Sequence, residues 1–373
     1  MKQRLLSLVQ LPPPIHGAAV MNKIAVSCFD GTEDFSNRTI ALKFSKSLSD
    51  LRKPSFFKFY SLIVIFFKVF KELIFNRPDL VYFTLTPKGG GFIRDCLFVM
   101  LIKLFRVKLV YHLHGKGFLD FSKKYVVIDF LYNFVFRNVK VILLADVLYD
   151  DISKYIKQEN ILIVPNGLDC ARGTHKPLNS QKVRFCFLSN LVEGKGILDF
   201  LIAFHSLYKD SPNVEAVVVG DYRSDGTKEL VKEFILSKGD DFSSALNFTG
   251  PLYNEEKFSI LSMSDVFVFP THIDTFPLVL IEAMAMGLPC VAYDEGATSS
   301  MIDNGRTGLV VEKGRRDLLA QAMLEFVKKP DLIASMGGDS LARYESEYTL
   351  EIFNKRIIEA VNSILASASK DSK

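Results

Sequence analysis

Between Thr271 and Val291 the chain reads THIDTFPLVLIEAMAMGLPCV, with two acids, Asp274 and Glu282, at either side of an apolar helix start. A helix built only for packing needs neither acid. Phe276 to Met286 has helical composition; Pro277 suits a first turn, and Gly287 with Pro289 suits the stop. Such a helix would present unbonded N–H groups around Phe276–Val279, an end that attracts phosphate. One acid inside the helix and one on the loop before it would flank that anion, and carboxylates accept hydrogen bonds from sugar or ribose hydroxyls. The bland alternative is an N-cap acid plus a solvated glutamate.

Three other segments carry chemistry. In LSNLVEGKGILDFLIAF, a strand runs through Gly194-Lys195-Gly196 into a helix, so Lys195 can reach a pyrophosphate beside a helix dipole. The spacing is not that of a P-loop. In VYHLHGKG, His112 and His114 are expected to diverge, one packing inward and one, His114, entering a ligand cleft. In LPPPIHGAAVMN, Gly17 and two alanines open a helix without bulk, as close approach of a ligand would require. A tight turn explains that segment equally well.

These residues need a scaffold. Apolar runs at Leu5–Val9, Leu80–Phe83, Lys108–Leu113, Val141–Leu144 and Ile161–Val164 lack polar alternation, as in strands buried on both faces of a parallel sheet. A second set follows at Arg184–Ser189, Glu215–Gly220, Asn247–Gly250, Val266–Pro270 and Pro289–Tyr293. Helix-length segments alternate with both sets. The class is therefore α/β, with two doubly wound domains facing across a cleft and ligands at the carboxyl ends of the strands. We place a first domain at 1–164, a linker at 165–182, a second domain at 183–349, and a last helical segment at 350–373 that packs back on the first domain.

With 373 residues and 49% apolar composition the chain can fill two cores. Residues 1–160 carry 24 Lys and Arg against 13 acids, whereas the whole chain is only +4. A basic first half and acidic second half point to different partners. Five scattered cysteines without a C-x-x-C pair fit a reducing compartment. The first residues lack a signal-peptide pattern, and the greasy run Phe56–Phe75 is cut by Lys58, Lys68 and Lys71, too short a charge-free stretch to span a bilayer. Lysines interleaved with Phe and Ile suit a helix lying in a headgroup layer, or a buried helix whose lysines snorkel. A cytoplasmic location, with peripheral contact on an anionic membrane, is the expectation.

Taken together, the chain resembles the family 4 glycosyltransferases, retaining enzymes of the GT-B fold with two Rossmann-like domains. FVFPTHIDTFPLVLIEAMAMGLPCVA carries the likeness, with the family's E-x7-E signature reading Asp274 to Glu282; VPNGLD, FTG and NGRTGLVV add to it. The resemblance implies that Glu282 binds the donor's ribose and Asp274 the hydroxyls of the transferred sugar. It further implies that Phe276, Pro277, Leu278, Val279 and Leu280 line the sugar and diphosphate through main-chain amides, with Leu252 beside the nucleotide. Lys195 matches one of the family's two diphosphate-binding cations, but Asn190 stands where an arginine is usual. His114 matches the cleft histidine and Gly17 the N-terminal loop glycine. Asp274, Lys195 and His114 are the implied catalytic residues.

The resemblance implies a nucleoside-diphosphate sugar donor, UDP first, and no metal or other cofactor, since no D-x-D site is evident. It implies a saccharide acceptor, polyprenyl-diphosphate-linked by preference, in bacterial surface polysaccharide assembly, and no nucleic-acid partner. Rivals are a nucleotide-sugar epimerase of the same fold and a non-catalytic relative. A dehydrogenase is disfavoured because G-x-G-x-x-G is missing.

Overall fold

The structure is a computed structural model that describes residues 2–44, 56–173 and 182–370. The chain divides into two units, Met1–Asn166 with Phe353–Lys373, and Gly167–Ile352.

The first unit holds six parallel strands, β1 (Gln3–Val9), β2 (Phe35–Ala41), β3 (Leu80–Phe83), β4 (Lys108–His112), β5 (Lys140–Leu143) and β6 (Ile161–Ile163), in the order β2-β1-β3-β4-β5-β6. Its helices are α1 (Gly17–Gly31), α2 (Phe56–Phe75), α3 (Gly89–Leu104), α4 (Phe118–Ser122) and α5 (Val126–Phe136). Strand β3 is buried at every position, which is why its sequence is apolar without alternation.

The second unit repeats the plan with β7 (Val183–Leu188), β8 (Val214–Val219), β9 (Leu246–Gly250), β10 (Val266–Phe269), β11 (Cys290–Tyr293) and β12 (Gly308–Val311), ordered β12-β11-β10-β7-β8-β9. Between and after them run α6 (Ile197–Asp210), α7 (Asp225–Leu236), α8 (Asp240–Ser244), α9 (Asn254–Ser262), α10 (Leu278–Ala285), α11 (Thr298–Met301), α12 (Arg316–Lys328) and α13 (Asp331–Arg343). The chain enters this sheet at β7, winds outward to β8 and β9, then returns to place β10 on the other side of β7. That reversal opens a crevice at the carboxyl ends of β7 and β10, the position where open parallel sheets bind ligands. Lys195 follows β7 and Asp274 follows β10.

Two strands beyond the ten expected, β2 and β12, stand at sheet edges. The β2 sequence FSNRTIA is partly exposed, so it carries the polar residues an edge tolerates and lacks a buried strand's signature.

Residues 167–173, expected within a linker, are bonded into the second unit. Leu168 N donates to Tyr348 O at 2.9 Å, Cys170 N to Tyr344 OH at 3.1 Å, and Gly173 N to Ala285 O at 2.9 Å. The rest of that segment, 174–181, lies outside the described residues. The last helix, α14 (Leu350–Lys370), belongs to the first unit from Phe353 onward. There Cys28 Sγ donates to Asn354 O at 3.7 Å and Asn362 Nδ2 to Asp34 Oδ2 at 3.1 Å.

Candidate active site

Strand β10 is fully buried and ends at Phe269, after which residues 270–277 lead into α10. The helix begins at Leu278, two residues later than its composition predicts. Pro277 is the N-cap, in extended conformation, and no side chain caps this end. Phe276 and Leu280 turn their side chains into the core, Phe276 with its ring 6.1 Å from that of Tyr348. The Leu280 amide donates to Pro277 O at 3.2 Å, so it is spent within the first turn. That leaves the Leu278 and Val279 end of the helix to meet an anion.

Lys195 and Asp274 are brought together from 79 residues apart. Lys195 Nζ lies 2.6 Å from both carboxylate oxygens of Asp274, and Thr271 Oγ1 donates to Asp274 Oδ2 at 2.9 Å. Both side chains are mostly buried, 21% and 17% exposed, so the pair is worth more than a surface ion pair yet keeps an opening to ligand. The second acid has a cation as well. Lys257 Nζ, on α9, lies 2.6 Å from Glu282 Oε1. Burial pushes the Glu282 carboxyl upward from its usual range, and the Lys257 charge opposes that rise.

The loop that carries Asp274 is clamped from two sides. His272 N donates to Gly194 O at 2.9 Å, and its ring Nε2 lies 2.6 Å from Asp199 Oδ2 on α6. Arg316 bonds the other oxygen of Asp199. Gly296, at φ +59°, approaches so closely that a Cβ there would lie 2.3 Å from Asp274 O. Neighbouring Ala297 N donates to Thr275 O at 2.8 Å.

Asn190 follows β7, and an arginine is delivered beside it from the end of the neighbouring strand. Arg223 Nε and Nη2 donate to Asn190 Oδ1 at 3.0 and 2.9 Å. The loops are held in register by Leu191, whose N–H donates to Asp221 O at 2.9 Å. A cation from the neighbouring strand's end thus stands beside position 190. Leu252 is half-buried on the loop between β9 and α9. Lys257 and Arg223 escape the sequence reading because folding recruits them from outside the motifs; His272 and Asp199 lie inside quoted segments, but nothing in the sequence pairs them.

His114 and Gly17 lie in the first unit. Gly17 is the first residue of α1, and His16 is its N-cap, Nδ1 accepting from Ala19 N at 3.3 Å. The two histidines do not diverge as expected: their ring centroids stand 4.1 Å apart. The reason is strand periodicity, since residues two apart share a face. Tyr82 OH meets His112 Nδ1 at 2.5 Å, while the Nε2 of each ring is buried without a hydrogen-bond partner among the described residues. Burial, and secondarily His16, pushes His114 down to about 3; burial and then His114 push His112 well below its usual value. Both imidazoles are therefore neutral at neutral pH. The acids of ADVLYDDI have a structural use: Asp151 accepts from the amides of Gly117, Phe118 and Leu119 at the start of α4, at 2.7 to 3.1 Å.

Residues 174–340 match the model of the family described as "Glycosyl transferases group 1". That match lies within the second unit. Among curated relatives, a GDP-mannose-dependent monoacylated alpha-(1-6)-phosphatidylinositol monomannoside mannosyltransferase of Corynebacterium glutamicum is 26% identical over 219 residues, 54% of this chain and 55% of that protein. The capsular polysaccharide biosynthesis glycosyltransferase CapM of Staphylococcus aureus is 25% identical over 191 residues, 51% of this chain and 48% of CapM. The chain thus spans about half the length of the curated relatives it matches. Among solved structures, Anabaena HepE in complex with UDP superposes with a TM-score of 0.74 at 18% identity, covering 97% of this chain and all of HepE. Sucrose-phosphate synthase of Thermosynechococcus elongatus gives 0.75 at 15% identity, covering 98% of this chain and all of that one. The fold is GT-B.

Proposed function

We propose that the protein is a retaining hexosyltransferase that moves a sugar from a nucleoside-diphosphate sugar to a saccharide or lipid-linked saccharide in surface polysaccharide assembly. The observation that carries the reading is the Lys195–Asp274 pair beside the uncapped start of α10, with Glu282 and its Lys257 behind it. Lys195, Arg223 and the α10 amides take the diphosphate; Asp274 takes the sugar hydroxyls, and Glu282 the ribose. HepE was solved with UDP and with UDP-glucose, which supports a nucleotide-sugar donor and UDP as the first base to try. CapM, by its name, serves capsular polysaccharide biosynthesis, which supports the product class.

In this reading the bond between the anomeric carbon and the diphosphate oxygen breaks first. Its negative charge develops against Lys195 and the helix amides, which are fixed before the reaction begins. The acceptor oxygen then bonds the anomeric carbon from the face the diphosphate leaves, and the acceptor proton passes to the departing phosphate oxygen. No covalent nucleophile and no metal are required.

Incubation with UDP-, GDP- and ADP-sugars in EDTA, with the products followed by NMR, tests the reading. The expected result is release of one nucleoside diphosphate with the sugar's anomeric configuration kept. Inversion, or interconversion of the sugar on an intact nucleotide, contradicts it.

A further inference from the structure

Helix α2 buries one narrow stripe, Ser61, Ile65, Val69 and Leu73, each four residues after the last. At about 100° per residue, Phe56, Phe59, Ile63, Phe67, Phe70 and Ile74 fall on the opposite side. All six are exposed, Phe67 by 62%. An ordinary surface helix is polar there. Helix α3 does the same with Ile93, Leu97, Met100 and Leu104, an i, i+4, i+7, i+11 stripe that reaches 76% exposure at Leu104. Helix α5 adds Val126, Phe130 and Phe134, with Phe130 at 72%.

The three helices are neighbours. Phe66 and Phe98 approach at 6.5 Å and Phe70 and Phe105 at 5.8 Å, joining α2 to α3. Lys103 Nζ donates to Phe134 O at 2.9 Å, joining α3 to α5. Three exposed apolar stripes on adjoining helices make one apolar face, the kind of surface that marks an interaction site rather than scattered surface residues.

The charge around the patch identifies its partner. Residues 56–137 carry thirteen Lys and Arg against five acids. Each acid on these helices is engaged: Glu72 with Arg38, Asp95 with Arg94, and Asp129 with Lys154. Lys68, Lys71, Arg106 and Lys124 are exposed beside the aromatic rows. No helix among the described residues is long and apolar enough to cross a bilayer. We infer that the outward face of α2, α3 and α5 is a docking surface for an anionic lipid bilayer, lying in the headgroup layer with its aromatic rows down. An interfacial helix of this kind gains from apolar burial and from each basic residue near anionic lipid. The inference rests on the first unit and is independent of which donor the second unit binds.

Vesicle flotation tests it, using phosphatidylcholine alone and phosphatidylcholine with about one third phosphatidylglycerol. The protein is expected to float with the anionic vesicles and to be released by salt. A Phe59→Ser/Phe67→Ser/Phe130→Ser variant should lose at least about tenfold in partitioning, and Lys68→Glu/Lys71→Glu/Lys124→Glu about tenfold at low salt. These positions are exposed, so melting temperature should hold in both variants. Failure of the wild type to float, or equal flotation of the aromatic variant, overturns the inference. So does a stable dimer in sedimentation that the aromatic variant dissociates, because the face would then belong to a second copy of this chain.

Discussion

Lys195→Ala is expected to lower kcat/KM for sugar transfer by about 10²–10³-fold, the loss seen when one fixed donor to a developing negative charge is removed. The loss should fall mainly on kcat, because the charge Lys195 faces grows as the diphosphate departs. Asp274 retains its bond from Thr271 Oγ1 at 2.9 Å, so the carboxylate is not left without a partner in the variant. The fold should therefore lose only about 1 kcal/mol, since both members of the pair keep some solvent contact. A steady-state assay alongside a melting curve separates the two effects. Unchanged turnover would remove Lys195 from the reaction and leave it a tether for the Asp274 loop.

Gly196→Ala should act on folding instead. Gly196 caps the start of α6 at φ +81°, and a Cβ there would stand 1.8 Å from Pro270 O and 2.6 Å from Pro270 C. Both obstacles are backbone, so no side chain can swing aside; relief requires the end of β10 to move away from the start of α6. The cost is on the order of 3–5 kcal/mol, combining left-handed strain with the clash. That corresponds to a fall in Tm of about 10 °C for a domain of this size. Gly226→Ala is the control. It lies in α7 with nothing within 4 Å of a built Cβ and no positive φ, so its Tm should be unchanged or slightly raised. Equal melting of the two variants would show that the close packing of α6 on β10 is not needed.

Much of this arrangement is legible before any coordinates. Parallel strands buried on both faces announce themselves as short apolar runs, and β3, β8 and β10 read that way. Edge strands do not: β2 mixes Ser, Asn, Arg and Thr because one side meets solvent, and its pattern is lost among loops. Asp274 and Glu282 stood out because acids are costly inside an apolar segment, and the structure gives each a lysine. Lys195 was visible between two glycines. Lys257 was not, because it lies 25 residues from Glu282 in a helix whose sequence, NEEKFSILS, resembles any solvated surface helix. Arg223 likewise stands beside Asn190 only because β7 and β8 are adjacent. The misplaced divergence of His112 and His114 was a matter of periodicity, and strand geometry corrects it.

The central claim is that Asp274 and Glu282 flank a sugar nucleotide at the start of α10. Thermal unfolding of the protein with millimolar UDP, GDP, ADP, CMP and NAD, beside a Glu282→Ala variant, tests it most directly. One nucleoside diphosphate at about 100 times its dissociation constant should stabilise the wild type by roughly 2.7 kcal/mol, and the variant by much less. Stabilisation by NAD alone, or an equal shift in wild type and variant, would contradict the claim.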